Sequence, residues 1–339
     1  MLPAPIEIIG GGLAGLSLGL ALRRADVPVV IRDAGVYPRH RVCGEFIAGL
    51  SPSTIARLGL EPFLADALQH HEVAWFLPGE PLRVQRLPAP ALGLSRHVLD
   101  ARLADAFVAA GGTLHTQSRV TDLTPRAGRI FATGRRRGPP AWIGLKLHFR
   151  NLELTRELEL HLGQQAYVGL AQIEDGTVNV CGLFRRQSVA ARGTGLLAAY
   201  LEAVRLPELA SRLAAAQAIE GSFSAVAGLD FDRRVVPADR IQLGDACAMI
   251  PPFTGNGMAM AIQSAETALD PLLAYAAGRA TWKDTCRATH VALRRRFLVR
   301  LASAHVLHPL LLKPGGQRWL AALNRVRLIP FSPLYATLH

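Results

Sequence analysis

IEIIGGGLAGLSLGLALRR, residues 6–24, carries a single acid, Glu7, ahead of its closing arginines; from Met1 to Leu22 no other side chain is charged. Length alone permits a membrane span, since about 20 apolar residues cross a bilayer. The internal texture argues otherwise. No Lys or Arg precedes the run, so the basic leader of a signal peptide is missing. Gly10, Gly11 and Gly12 separate two periodicities: β-branched Ile6, Ile8 and Ile9 before them, and Leu13, Leu16, Leu20 and Ala21 at helical spacing after them. Strand, glycine turn and helix open a βαβ unit.

The turn Gly10-Gly11-Gly12-Leu13-Ala14-Gly15 is a full G-x-G-x-x-G. In a dinucleotide site the first glycine permits the turn, the second admits a pyrophosphate and the third lets helix approach strand. The helix N-terminus then offers free N–H groups and partial positive charge to phosphates. An acid ending the next strand is expected about 20 residues on. VPVVIRDAG supplies Val29, Val30, Ile31 and then Asp33, whose carboxylate can accept two hydroxyls of an adenosine ribose.

The remaining 339-residue chain is half hydrophobic, enough for a large core and two lobes. Its formal charge is +12, but only Lys146, Lys283 and Lys313 are lysines, and an Arg-rich surface is weak ground for a nucleic-acid partner. Cys43, Cys181, Cys247 and Cys286 are far apart, show no metal spacing and read as reduced cytosolic thiols, so no metal and a cytoplasmic location are expected.

Residues 73–94 read as short strands broken by Pro78, Pro81, Pro88 and Pro90, and Ser51 or Ser53 as the cap of a helix through Leu58. SRHVLDARLADAFVAAGG predicts an amphipathic helix, TLHTQSRVTDL one or two strands and RIFATG another. From Trp142 to Leu183 the period becomes two, and Asp175-Gly176 marks a hairpin, which predicts an antiparallel sheet. RIQLGDACAMIPPFTGNGMAMAIQSAE gives strand, loop and helix. A carboxylate after a strand and a glycine-opened helix suit a sugar-like hydroxyl and an electron-rich ring edge, as in a flavin. RGTGLLAA, with Gly193, Gly195 and Ala198, lacks the preceding strand of a second nucleotide site and reads as a helix start.

These motifs resemble the FAD-dependent oxidoreductase superfamily of single-component aromatic hydroxylases, geranylgeranyl reductases and flavin-dependent halogenases, over roughly residues 5–275. Gly10–Gly15 with Asp33 match its adenosine end, and Arg96 in SRHVLDARLADA an arginine that contacts FAD. Gly244 and Asp245 match the acid motif for ribityl or ribose hydroxyls; Pro252 and Gly255-Asn256-Gly257-Met258 match the loop beneath the flavin. RHRVCGEF, with Arg41, Cys43 and Gly44, resembles the loop before the flavin in the reductase branch. Leu13, Ala14, Val120, Thr133 and Gly134 complete the implied contacts. Thr133-Gly134 replaces the family's Asp-Gly, which puts direct NADPH or NADH handling in question.

The resemblance implies a mixed α/β fold: a Rossmann-like FAD lobe (1–72, 95–135, 236–275), an inserted antiparallel substrate lobe (73–94, 136–235) and a C-terminal helical cap (276–339). It implies an oxidoreductase acting on an apolar or aromatic small molecule. Hydroxylation with oxygen is the first reading, reduction of a prenyl-type C=C the second, and a non-catalytic flavin-binding paralogue the third. No paired-Trp motif of the familiar halogenases occurs. Cys43, Glu45 and His148 are the catalytic candidates, with Lys146 and Cys181 near them. Lys146 and His148 share one strand face, which either lines a cavity or meets solvent. Arginines mixed with Leu, Val, Phe and Trp319 after Leu293 suit a pocket cap or peripheral contact with an anionic membrane.

Overall fold

The computed structural model describes residues 5–77, 80–136, 138–139, 141–231, 236–325 and 331–339; Pro78 and Pro330 lie outside them, as do the outer or inner edges 1–4, 137, 140 and 232–235 of the expected lobes. In chain order the first half runs β1 (Ile6–Ile9), α1 (Leu13–Arg24), β2 (Val29–Arg32), β3 (Phe46–Ile47), α2 (Pro52–Leu58), α3 (Glu61–Leu64), β4 (Leu68–Leu77), β5 (Glu80–Gly93), α4 (Arg96–Ala109), β6 (Thr113–His115) and β7 (Arg129–Phe131). Then follow β8 (Trp142–Arg150), β9 (Leu158–Gly163), β10 (Ala166–Gln172), β11 (Val178–Arg185), α5 (Gly195–Ala203), α6 (Pro207–Ala215), β12 (Gln217–Ala218) and β13 (Ser224–Ala227). The chain closes with β14 (Ile241–Gln242), α7 (Gly257–Ala276), α8 (Trp282–Leu312), α9 (Pro314–Arg325) and α10 (Phe331–Leu338).

Two sheets organise the molecule. The first is parallel, in the order β14-β7-β1-β2-β6. Every residue of α1 from Leu13 to Leu22 is buried, between this sheet and α4 and α7. A helix apolar on all sides belongs inside a core, which is why residues 6–24 look like a span without being one. Among the described residues no helix is long and apolar enough to cross a membrane.

The second sheet has the order β12-β8-β11-β10-β9-β4-β5-β3, with β13 also on β8. It is antiparallel except where β4 meets β9 in parallel. The expectation of short, proline-broken strands over 73–94 is corrected to one long hairpin of β4 and β5. The ladder jumps from His70–Ala91 to Glu72–Arg86, so Pro88 and Pro90 fall in a bulge that asks no N–H of them. In TLHTQSRVTDL only Thr113–His115 is strand. Beyond it the Asp122 carboxylate accepts from the Thr124 N–H, and Arg129 donates to the Asp122 and Thr124 carbonyls, replacing ladder bonds with local ones.

Both faces of β8 are buried. Leu145, Leu147 and Phe149 pack with Leu201 of α5 and Leu209 and Leu213 of α6. Lys146 and His148 point the other way and are also buried, so a solvated face is ruled out for them. Capping follows the sequence: Ser51 accepts from the Thr54 N–H at the start of α2, and Ser95 from the Val98 N–H at the start of α4.

Candidate active site

A cavity of about 980 Å³ runs between the two sheets and under the C-terminal helices. Such a volume lies at the upper end of ordinary small-molecule sites. At one end it is lined by Gly10, Gly12, Leu13 and Ala14 at the start of α1, and by Gly255, Gly257 and Met258 at the start of α7.

The two helix starts share a construction. Gly10 sits at φ +109°, and a Cβ there would lie 2.2 Å from the Ala132 carbonyl oxygen. Gly15 packs against the Gly10 carbonyl in the same way and faces the core rather than the cavity. Gly12 and Gly257 are different. The nearest atom to a Cβ on Gly12 would be 3.8 Å away, and on Gly257 nothing lies within 4 Å. Neither α1 nor α7 has a side-chain cap. Two sets of orphan helix N–H groups therefore open on one cavity, each beside a glycine with space in front of it.

Asp33 meets the first start. Its carboxylate accepts from the N–H groups of Gly11 (2.8 Å) and Gly35 (2.7 Å) and pairs with Arg39 (2.7 Å). Burial would raise its carboxyl, but Gly35, Arg39 and Gly11 together hold it below the ordinary value. A carboxylate has about four acceptor positions, so three occupied ones leave room for one ribose hydroxyl rather than the expected two. Tyr37 closes the turn by donating to the Gly11 carbonyl at 2.5 Å. Asp245 meets the second start in another state. It lines the cavity, and among the described residues nothing hydrogen-bonds its carboxylate. The surrounding walls raise its pKa, against the pull of Arg96, Arg135 and Arg41.

Arg96 and Arg41 line the same end. The fully buried Asp100 aims them, taking two bonds from Arg96 (2.7 and 2.8 Å) and one from Arg41 (3.0 Å). Thr133, Gly134, Gly44, Gly244 and Pro252 are also in the lining. Val120 is not; its neighbour Arg119 is. Asn256 is buried below the loop and donates to the Leu338 carbonyl, which ties the start of α7 to α10.

Of the three catalytic candidates only Cys43 lines the cavity, its thiol kept protonated by burial. Glu45 and His148 lie behind it. Glu45 is fully buried at φ +56°, accepting from His148 Nε2 (2.5 Å) and the Arg96 N–H (3.1 Å), with Lys146 Nζ at 3.2 Å. Burial opposes its charge, yet His148 and Lys146 hold the carboxyl below its ordinary value. Burial lowers the Lys146 ammonium, so it gives up a proton more readily than an exposed lysine. Lys146 also donates to His40 Nδ1 (3.1 Å). His40 lines the cavity, stacks on His97 with ring centroids 4.4 Å apart, and is lowered to about 4, chiefly by burial. A continuous array thus runs from His40 through Lys146 and Glu45 to His148. His40, Arg39, Tyr37 and Asp100 were not legible as site residues in the sequence. The run YPRHRVCGE, with His40 and Arg39 close before Cys43, was the one signal for two of them.

The other end of the cavity is apolar, walled by Val73 and Trp75 of β4, Leu87 of β5, and Phe331, Leu334 and Leu338 of α10. Leu307 and Leu311 of α8 and Leu320 of α9 close its side, so the C-terminal helices cap the pocket. Gly193, Gly195 and Ala198 at the start of α5 do not line it. Among the described residues no cluster of His, Cys, Asp and Glu could hold a metal.

No protein-family profile matches the chain. A menaquinone reductase of Mycolicibacterium smegmatis is 29% identical over 144 residues, 38% of this chain and 33% of that protein. A menaquinone reductase of Mycobacterium tuberculosis is 34% identical over 70 residues, 20% of this chain and 16% of that one. The matched segments thus span a third or less of these curated relatives. Solved structures match almost the whole chain. PqsL of Pseudomonas aeruginosa, in complex with 2-aminobenzoylacetate, superposes with TM-score 0.72 at 18% identity, covering 94% of this chain and 99% of that one. The flavin-dependent brominase Bmp2 gives 0.73 at 17%, covering 95% and 93%. A geranylgeranyl bacteriochlorophyll reductase-like protein of Thermoplasma acidophilum gives 0.72 at 17%, covering 96% and 91%. The chain has the fold of the FAD-dependent oxidoreductases, shared by monooxygenases, halogenases and geranylgeranyl-reductase-like proteins.

Proposed function

We propose that the protein is a FAD-dependent reductase of an isolated C=C bond in an extended apolar molecule of prenyl-lipid type. One observation carries the flavin part: a single cavity joins two uncapped, glycine-opened helix starts and an unpartnered Asp245 to an apolar wall. The residues present fit FAD. The start of α1, with Gly12 open in front of it, suits the pyrophosphate; Asp33 suits a ribose hydroxyl and Asp245 a ribityl hydroxyl. The start of α7 suits the pyrimidine edge of the ring, and Arg96 and Arg41 balance the phosphate charge. When bound, FAD supplies the two-electron chemistry, and the chain supplies position and proton management.

Saturating a C=C bond consumes two electrons and two protons, so a reductase must hold a proton at the cavity wall. Cys43 is placed to hold it at Sγ, and burial keeps it there as a neutral thiol. The His40–Lys146–Glu45–His148 array stands behind Cys43 as a buried reservoir with one cavity-facing end. The relatives named for reducing menaquinone, an apolar quinone, add support for reduction. Hydroxylation is the second reading. It is favoured by the overlap with PqsL, solved with a small aromatic ligand, and by Tyr167 and Phe253 in the cavity lining.

Product mass separates the two. Protein loaded with FAD and supplied with a chemical reductant and a prenylated quinone is expected to add two hydrogens without air. Oxygen uptake matched by one added oxygen atom in the product supports hydroxylation instead. Cys43→Ser is expected to keep flavin binding and lose most of the turnover. Anaerobic addition of NADH or NADPH tests the donor; bleaching of the flavin shows that Thr133-Gly134 suffices where the family has Asp-Gly.

A further inference from the structure

The outward face of α8 has no partner in the fold, and its chemistry is specific. Val291, Leu298, Val299 and Val306 are 63%, 48%, 62% and 71% exposed. At 3.6 residues per turn they fall within an arc of roughly 100° and extend over about 22 Å of the helix. Arg295 lies inside the same arc, and Arg287 and Arg294 border it. Trp319, 54% exposed, follows on α9 beside exposed Arg318 and shortly after exposed Lys313. These two helices carry five of the nine exposed large hydrophobic side chains among the described residues, so the pattern is a patch rather than scatter.

Charge selects the partner. From Thr285 to His339 the sequence holds no Asp or Glu. Among the described residues Arg287 pairs with Asp284, while Arg294 and Arg295 make no ion pair. A second copy of the chain would bring like charges together along this stripe. A nucleic acid would satisfy the arginines but not the exposed valines. An anionic lipid surface satisfies both, because its headgroups attract the arginines and its acyl boundary takes the valines and Trp319.

We propose that the outer face of α8 and α9 docks on an anionic membrane surface, with the helices lying in the interface. The geometry adds a consequence. The inner faces of the same helices wall the cavity through Leu307, Leu311 and Leu320, so docking sets an apolar pocket one helix thickness from lipid. This surface is independent of the flavin and of the reaction proposed above.

Co-sedimentation of the full chain with vesicles tests it. The expected result is binding to phosphatidylglycerol-containing vesicles about tenfold tighter than to pure phosphatidylcholine vesicles, weakening as salt rises. A Val299→Asp/Val306→Asp variant is expected to lose about tenfold in binding with an unchanged melting temperature. Arg294→Gln/Arg295→Gln is expected to weaken binding and flatten its salt dependence. Equal binding to both vesicles, no binding to either, or full binding by the valine double variant overturns the proposal. So does a dimer in solution that Val299→Asp dissolves, which assigns the face to a second copy. Flavin content is read on the same samples, so failure here and failure of the flavin reading are distinguishable.

Discussion

The two helix starts at the cavity are alike in backbone and opposite in charge state. Each pairs a glycine that geometry compels, Gly10 or Gly255, with one that faces open space, Gly12 or Gly257. Yet the acid beside α1 is nearly saturated by its own loop, whereas the acid beside α7 has no hydrogen-bond partner. The first site is assembled before any ligand arrives. The second holds a desolvated carboxylate that only a ligand satisfies, and a buried polar group left unmade costs about 1–3 kcal/mol. Affinity and stability are therefore coupled with opposite signs at the two ends.

The largest expected effect comes from filling the open space. Gly12→Val places a branched side chain where the pyrophosphate belongs and is expected to weaken FAD binding about 100-fold, with the fold intact by circular dichroism. Retained affinity breaks the assignment of α1.

Asp245→Asn comes next and sharpens the contrast. It is expected to weaken FAD binding about tenfold, while raising the melting temperature of the flavin-free protein. The pH dependence follows from the signs. The Asp245 pKa is raised above 3.8, so its destabilising effect is full at neutral pH and fades as pH falls through that raised value. The stability gap between Asp245→Asn and the parent should close on acidification. Asp33 is lowered from 3.8, so its contribution is full above that value and is lost only below it. The gap between the parent and Asp33→Asn should therefore stay open over the range where the other closes. Thermal melts across mildly acidic buffers read both.

The smallest effect is a control at a helix with an ordinary cap. Thr281 caps α8 by accepting from the Asp284 N–H at 3.2 Å. Thr281→Ala is expected to lower stability by about 1 kcal/mol and leave FAD affinity unchanged. An equal loss of flavin binding there dissolves the distinction between capped and ligand-facing helix starts.

The strand–glycine–helix logic of residues 6–33 was legible because it is local: periodicity, glycine spacing and an acid at a set distance follow from backbone rules. The glycine-opened start of α7 was legible for the same reason. The β4–β5 hairpin was not, since Pro88 and Pro90 break a regular strand and only pairing with β4 reveals the bulge that admits them. Nor was the burial of Lys146 and His148. Alternation on β8 showed that they share a face, but what covers that face, Glu45 and His40, comes from a loop about a hundred residues earlier. Asp100 read as an ordinary polar position of an amphipathic helix, although it is the residue that aims Arg96 and Arg41.

Titration of the purified, flavin-free protein with FAD, followed by absorbance and fluorescence, is the most direct test of the account. It predicts saturable binding of one FAD per chain, weakened by Gly12→Val and by Asp245→Asn. A folded chain that takes up no FAD, or one whose uptake ignores both substitutions, contradicts it.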